Sequence, residues 1–187
     1  KKVYEMIAEG KTTGIFQMES PGMRRLARNL RPSVFSDLTA MVALYRPGPM
    51  DLIDAFVQGK LAPDQIQYPH KDLIPVLKDT YGILLYQEQC LQVANVMAGY
   101  SLGQADELRR AIGKKKLEIM MAEKKKFTAG AEKLGYDKKT IDQVWGFIEK
   151  FAGYGFGKAH SASYAMISYQ TAYLKAHYPA AFMSALM

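Results

Sequence analysis

Apolar residues recur every three or four positions through most of the second half of this chain. They mark one helical face from residue 117 to 134 and another from 141 to 151: Leu117, Met120, Met121, Phe127, Ala131, Leu134, Ile141, Val144, Trp145, Ile148 and Phe151. This spacing fits a helix of 3.6 residues per turn, whereas a half-buried strand alternates with period two. No series of strand-like segments that would build a substantial sheet accompanies it. The sequence therefore predicts a mostly α protein, an irregular multi-helix domain with at most a short strand pair.

Capping residues stand where several periodic segments begin. The predicted N-caps are Ser20 (followed by Pro21), Ser36, Ser101 (with Gln104 three residues later) and Asp137. Gly113 is expected where one helix ends and Gly135 where the next one does. The segment TYGILLYQEQ favours a short strand that becomes helical near Gln87.

Length and composition favour one domain with its own core, spanning residues 1–187. The absence of an initiator Met and the uncapped last helical segment indicate a piece of a longer protein. Cys90, the one cysteine, lies on an apolar helical face and is interpreted as a small core residue. No membrane span or signal peptide is recognisable, so we expect a cytoplasmic protein with no membrane partner.

A cluster of five cations crosses one predicted helix end: Arg109, Arg110, Lys114, Lys115 and Lys116. Cations at a helix C-terminus are favoured by the helix dipole, so a solvated capping cluster is one interpretation. The net charge of +7 favours the other, a polyanionic partner. Arginine forks and mobile lysine charges suit a triphosphate or a nucleic-acid backbone.

The segment FAGYGFGKAHSASYA combines closely spaced glycines with aromatic and cationic residues. Tyr154 and Phe156 offer faces for base stacking, while Lys158 and His160 suit anionic oxygens. A structural histidine at a helix start is the alternative interpretation of His160.

Two further basic features lie in the first third of the chain. Arg24, Arg25 and Arg28 share one face of an amphipathic helix, which is either solvated or a phosphate contact. Arg46 precedes the triplet Pro47-Gly48-Pro49, which holds it at a rigid corner.

Motifs for metal-dependent or nucleophilic catalysis are missing from the sequence. It has no D-x-D pair, no C-x-x-C and no H-E-x-x-H, and GYGFGK is neither a Walker A loop nor a dinucleotide fingerprint. A two-metal site needs converging carboxylates, and no convincing set is present. We therefore expect no catalytic residue and no metal ligand in this chain.

Six ordered blocks carry a family resemblance: GIFQMES, ALYRPGPM, TYGILLYQEQ, LRRAIGKKK, FAGYGFGKAH and SYQTAYLKAHYPAAFMSALM. Together they closely resemble the fingers domain of the bacterial replicative DNA polymerase III alpha subunit, from about Gly10 to the last residue. The resemblance implies a nucleotidyltransferase parent whose palm carboxylates hold Mg²⁺ outside this chain. About residues 1–20 would then form the junction with the palm.

The resemblance also implies roles for individual residues. Arg109 and Arg110 match the family's arginine pair at the nascent base pair and incoming nucleotide, and Tyr154 and His160 match positions in the same pocket. Other cations in family motifs are expected to bind substrate as well: Lys114, Lys115, Lys158 and Arg46. The family more often has Asn and Ser where this chain has Gly157 and Ala159.

The leading hypothesis is therefore a polymerase fingers module that binds the incoming deoxynucleoside triphosphate and primer–template DNA. Its implied partners are the palm and downstream domains of the same chain, and other replicase subunits reached through those domains. A non-catalytic, basic, helical nucleic-acid-binding module is the alternative, and a helical scaffold with a solvated basic face is the third possibility.

Overall fold

The computed structural model describes residues 1–114, 117–152 and 155–187. These residues form eleven α-helices: α1 (Lys2–Ala8), α2 (Pro21–Leu30), α3 (Phe35–Leu44), α4 (Ile53–Leu61), α5 (Ile74–Leu77), α6 (Gln87–Ala98), α7 (Leu102–Lys114), α8 (Leu117–Lys133), α9 (Lys138–Phe151), α10 (Lys158–His177) and α11 (Pro179–Leu186). Short 3-10 segments occupy Pro49–Leu52, Pro63–Gln65, Lys71–Leu73 and Lys78–Thr80. The fold class predicted from the sequence is confirmed.

The chain divides into two compact units. The first unit comprises residues 1–61 and 158–187, and the second comprises residues 62–157. The second unit is thus one continuous stretch, whereas the first is assembled from two stretches that are distant in sequence.

Helix α3 forms the centre of the first unit, and every residue from Asp37 to Leu44 is buried. It packs against α10, whose buried residues are all small: Ser161, Ala165, Ser168, Ala172 and Ala176. Because these residues recur every three or four positions, they line one face of α10. Small side chains on that face let the two helices approach closely.

A buried ion pair joins the start of α3 to the end of α4. Asp37 Oδ2 accepts hydrogen bonds from the backbone nitrogens of Ser33 (2.7 Å) and Val34 (3.1 Å). The Lys60 ammonium lies 2.5 Å from the same oxygen and donates to the carbonyl of Arg31 at 3.1 Å. The carboxylate is therefore compensated by both a charge and backbone donors, as a buried charge requires.

Residues 10–19, which we call the Phe16 loop, are fastened to α10. Ser168 Oγ donates to the Phe16 carbonyl at 2.9 Å, and the Phe16 nitrogen donates to Thr171 Oγ1 at 3.2 Å. Lys175 Nζ donates to the carbonyls of Lys11 (3.1 Å) and Thr13 (2.7 Å). Burial lowers the pKa of Lys175, and the nearby charge of Arg24 lowers it further.

The second unit has a separate core built around Trp145, which is fully buried. The Trp145 and Phe127 ring centroids are 5.4 Å apart, and Trp145 Nε1 donates to Glu149 Oε1 at 2.6 Å. The predicted apolar face of α9 supplies much of this core. Cys90 is buried there as well, as predicted, and burial raises the pKa of its thiol to about 12.

One isolated parallel bridge joins Tyr86 to Phe156 in the second unit. The Gln87 nitrogen donates to the Phe156 carbonyl at 2.9 Å, immediately before α6 begins. A Cβ at Gly155 would lie 2.4 Å from a ring carbon of Phe151. Close packing on Phe151 therefore accounts for at least one glycine of the FAGYGFGKAH segment.

Helix boundaries follow most of the predicted caps. Ser20 Oγ accepts from the Met23 nitrogen at 3.2 Å, and Asp137 Oδ1 accepts from the Thr140 nitrogen at 2.9 Å. Ser101 and Gln104 form the predicted reciprocal pair.

Two predicted boundaries were wrong. Helix α3 begins at Phe35 with Val34 as its N-cap, and the acceptor at its start is Asp37 rather than Ser36. Helix α7 continues to Lys114, so Gly113 lies within the helix and not after it.

Among the described residues, none of the helices is long and apolar enough to cross a membrane.

The α3–α10 contact predicts a specific sensitivity to side-chain volume. Ala172→Leu should destabilise the first unit by about 1–3 kcal/mol, because Ala172 is fully buried on the small-residue face of α10 and the added atoms have no room there. Faster hydrogen exchange of the α3 amides would report the loss. Tyr173→Leu, at the neighbouring exposed position, is the control and should leave exchange unchanged; equal effects of the two substitutions would contradict the prediction.

Candidate functional site

The arginine pair, Arg109 and Arg110, lies on α7 and converges on one carboxylate. Arg109 Nε donates to Asp106 Oδ1 at 2.8 Å, and Arg110 Nε lies 2.9 Å from Asp106 Oδ2. Because the two arginines follow Asp106 by three and four positions, both reach back to it along one helix face. Each guanidinium thus engages a different oxygen of the same carboxylate.

Solvent exposure differs between the two arginines. The side chain of Arg110 is 70% exposed and that of Arg109 38% exposed. The opposite face of α7 is buried through Ala105 and Leu108, and the helix packs on α6 and α8. The core of the second unit therefore fixes the helix, while Arg110 keeps most of its surface available to an anion.

Asp106 is held in its charged form by this arrangement. The hydrogen bond from Arg109 is the largest influence lowering the pKa of Asp106, and Arg110 lowers it as well. The carboxylate in turn orients both guanidinium groups. An anion that approached the pair would meet donors already aligned.

Lys158 and His160 occupy the first turn of α10 in the first unit, and both are exposed. The His160 and Tyr164 rings stack with centroids 4.4 Å apart and planes inclined by 33°. Phe16 extends this surface, since its centroid lies 5.7 Å from that of Tyr164. We call the three rings of Phe16, Tyr164 and His160 the aromatic strip.

Sequence reasoning missed two members of the aromatic strip, Phe16 and Tyr164. The spacing of four residues between His160 and Tyr164 would have revealed that pair on a helix. No local pattern connects Phe16 to α10; that contact comes from the hydrogen bonds that fasten the Phe16 loop.

Strain supports a special role for the Phe16 loop. Gln17 has a φ of 58°, in the left-handed region that residues other than glycine seldom occupy. Such conformations persist where the surroundings enforce them, and they concentrate at functional sites.

Arg46 lies at the predicted corner after α3. Its Nε donates to the Ala43 carbonyl at 3.2 Å, and Gly48 follows with a φ of 103°. Partial burial lowers the pKa of the Arg46 guanidinium. Arg46 thus lies at the predicted corner, whereas the rigidity of that corner and the contact of Arg46 with substrate stay predictions.

The remaining predicted site residues are described in part or not at all. Lys114 is the last residue of α7, and Lys115 and Tyr154 lie outside the described residues. The arginine pair belongs to the second unit, and Arg46, Lys158 and His160 belong to the first. Their predicted convergence on one ligand stays a prediction.

Side chains able to bind a metal ion do not cluster in the described part of the chain. Within residues 1–114, 117–152 and 155–187, no three His, Cys, Asp or Glu side chains form a group that could hold a metal ion. None of the described residues is assigned to Mg²⁺, and its proposed location outside this chain stays a prediction.

Comparison with known proteins decides the family. The model of the bacterial DNA polymerase III alpha subunit finger domain matches residues 1–135. The chain belongs to this finger domain family. The resemblance inferred from the six sequence blocks is thereby confirmed.

Relatives of the finger domain chain extend the match beyond residue 135. It is 50% identical to DNA polymerase III subunit alpha of Halalkalibacterium halodurans, over 99% of this chain and 17% of the relative. It is 50% identical to that of Escherichia coli K12, over 100% of this chain and 17% of the relative. For Aquifex aeolicus the identity is 49%, over 98% of this chain and 16% of the relative. The chain thus spans about a sixth of the length of the curated relatives it matches.

The geometry at Asp106 predicts which of the two arginines has the larger influence on the pKa of this carboxylate. An NMR pH titration should give Asp106 a pKa below its ordinary value of 3.8, with a larger rise towards that value in Arg109→Gln than in Arg110→Gln, because Arg109 contributes most. Since folding lowers this pKa, the pairing favours the fold above the unfolded pKa and is lost as the pH falls through the folded pKa. An unshifted pKa, or the reverse ordering, would refute this interpretation.

Proposed function

We propose that the chain is the fingers module of a DNA-directed DNA polymerase and binds the incoming deoxynucleoside triphosphate and the nascent base pair. The observation that carries this proposal is the family membership, with about 50% identity to polymerase alpha subunits along the chain. We also propose that both units act as a single fingers domain. Primer–template DNA, the palm and downstream domains, and other replicase subunits would be its partners, in the cytoplasm.

The parent enzyme would join a nucleotide to a primer. The primer 3′-oxygen bonds to the α-phosphorus, the bond from that phosphorus to the bridging oxygen breaks, and pyrophosphate leaves. Mg²⁺ held by palm carboxylates outside this chain would stabilise the attacking and leaving oxygens. The residues of this chain would bind and orient the triphosphate.

The arginine pair suits the negative charge of the triphosphate. Arg110 is largely exposed and already oriented by Asp106, so little ordering is needed when an anion binds. Preorganised donors of this kind stabilise developing charge better than mobile ones. Arg109, Lys114 and Lys115 would add positive charge around the same phosphates.

The start of α10 suits the rest of the nucleotide. Bases stack on aromatic side chains with about 1–3 kcal/mol each, and Tyr164 and Phe16 supply ring faces beside His160. Lys158 and His160 would contact phosphate oxygens, favoured further by the positive end of the α10 dipole. Tyr154 and Arg46 would also bind the nucleotide, as the family resemblance implies.

Substitution of the exposed donors tests the proposal in the full-length parent polymerase. Arg110→Ala and His160→Ala should each lower kcat/KM for nucleotide incorporation by about 30- to 1,000-fold, or roughly 2–4 kcal/mol. Both side chains are exposed, so melting temperatures should change little.

The chain offers matched controls for both substitutions. His177 stacks on Tyr173 with centroids 4.3 Å apart at 30°, which closely repeats the geometry of His160 on Tyr164. His177→Ala is the control for His160→Ala, and Lys139→Ala, which removes a cation from α9, is the control for Arg110→Ala. Both controls should retain normal incorporation. Near-normal incorporation by both Arg110→Ala and His160→Ala would remove these residues from the nucleotide site.

The aromatic strip gives a separate prediction. Tyr164→Leu should raise the dissociation constant for the incoming nucleotide by about 5- to 150-fold, the equivalent of one lost stacking contact of roughly 1–3 kcal/mol, whereas Tyr164→Phe should keep it unchanged. Single-turnover incorporation at varied nucleotide concentration measures both. If Tyr164→Leu binds nucleotide normally, the strip does not stack on a base.

A further inference from the structure

The first unit carries a second concentration of arginines, none of which is among the residues proposed to bind nucleotide. Helix α2 and the residue after it contain Arg24, Arg25, Arg28 and Arg31, and α2 itself contains no acidic residue. Like charges so close together repel one another. A bound anion would relieve this repulsion.

Only Arg24 is committed to the fold among these four arginines. Its Nη2 donates to Thr13 Oγ1 at 3.0 Å, and its side chain turns towards the Phe16 loop. In the part of the chain that the structure describes, Arg25, Arg28 and Arg31 make no side-chain ion pair within 4.0 Å. Asp37, near the start of α3, is already compensated by Lys60.

Arg28 and Arg31 line a groove between α2 and α4 with a volume of about 450 Å³. We call it the α2–α4 groove. Asn29 and Gln58 line it as well and provide neutral hydrogen-bond donors. Arginine forks combined with amide side chains are the donors that proteins direct at the phosphates and sugars of DNA.

Backbone geometry gives both arginines defined positions. Gly10 has a φ of 74°, and a Cβ there would meet Arg28 Nη1; the glycine thus leaves space for the guanidinium beside the loop. Arg31 has a φ of 50°, in the left-handed region, and its carbonyl accepts a hydrogen bond from Lys60. The chain therefore turns sharply at Arg31, and this turn puts its side chain on the groove.

We propose that the α2–α4 groove binds the phosphodiester backbone of DNA through Arg28 and Arg31. This inference rests on the proposed function, since a polymerase must hold primer–template DNA, and it adds a backbone contact made by residues not assigned to the nucleotide. Asp54 also lines the groove. Its carboxylate opposes phosphate and confines the DNA backbone to the arginine side.

The test measures DNA affinity against salt in the full-length parent polymerase. Each phosphate contact that is lost should make the plot of log K against log salt less steep by about 0.9 for duplex DNA. Arg28→Gln and Arg31→Gln should each produce that change, and the double variant about twice as much. Fluorescence anisotropy with a labelled primer–template from about 50 to 200 mM salt gives the slopes.

Three further variants separate a specific contact from general charge. Arg25→Gln removes the same charge from the same helix outside the groove and should leave the slope nearly unchanged. Arg28→Lys with Arg31→Lys should keep the steep slope while weakening binding, because lysine lacks the planar fork. Asp54→Asn should tighten binding.

The possible outcomes distinguish this inference from the proposed function. A double glutamine variant with the slope of Arg25→Gln would overturn the groove assignment, even though the parent binds primer–template and incorporates nucleotide. A parent polymerase that neither binds primer–template nor incorporates nucleotide would refute the proposed function itself. Melting curves confirm that each variant is folded before its slope is compared.

Discussion

The close contact between α3 and α10 determines most of the first unit. Helix α3 is buried along nearly its whole length, and it can lie close to α10 because the buried residues of α10 are all serine or alanine. That contact fixes α10, and α10 in turn holds the Phe16 loop through Ser168 and Thr171. The positions of His160 and Phe16 therefore follow from a helix contact whose buried small side chains have no proposed function of their own.

The polar residues at the two ends of α10 have different roles. Near the first turn, Lys158 and His160 are exposed and adjoin the aromatic strip. Near the last turn, Lys175 is drawn inward to the carbonyls of Lys11 and Thr13. Lys175, with two carbonyl acceptors, stabilises a loop, whereas Lys158 and His160 lie at the exposed start of the helix. Helix α10 thus both holds the Phe16 loop and carries two rings of the aromatic strip, those of His160 and Tyr164.

Local signals in the sequence account for much of the fold, because a cap and its helix lie within a few residues of each other. Ser20, Asp137 and the Ser101–Gln104 pair were identified in this way. The N-cap predicted at Ser36 was wrong because the next residue, Asp37, accepts hydrogen bonds from the backbone nitrogens that precede the helix. Asp37 also forms an ion pair with Lys60, which is distant in sequence. Such long-range partners leave no local pattern.

The exposure of residues on the predicted apolar face from 117 to 134 shows the same limit of local sequence patterns. Met121 and Leu134 fit the predicted apolar face but are 55% and 54% exposed, whereas Glu123 is 5% exposed. Glu123 is accommodated because Lys126 lies 2.7 Å from its carboxylate and the Tyr100 hydroxyl donates to it at 3.4 Å. Helical periodicity identifies a face, but the partners brought by other helices decide which residues on it are covered.

The division of the first unit into two distant stretches affects how the chain folds during synthesis. About 110 residues separate the end of α3 at Leu44 from the start of α10 at Lys158. At 5 to 20 residues per second, the ribosome needs roughly 6 to 22 s to supply them. The second unit is complete by then, while α3 still lacks the surface that covers it. The apolar surface of α3 therefore stays uncovered, and able to associate with other chains, until α10 emerges from the ribosome.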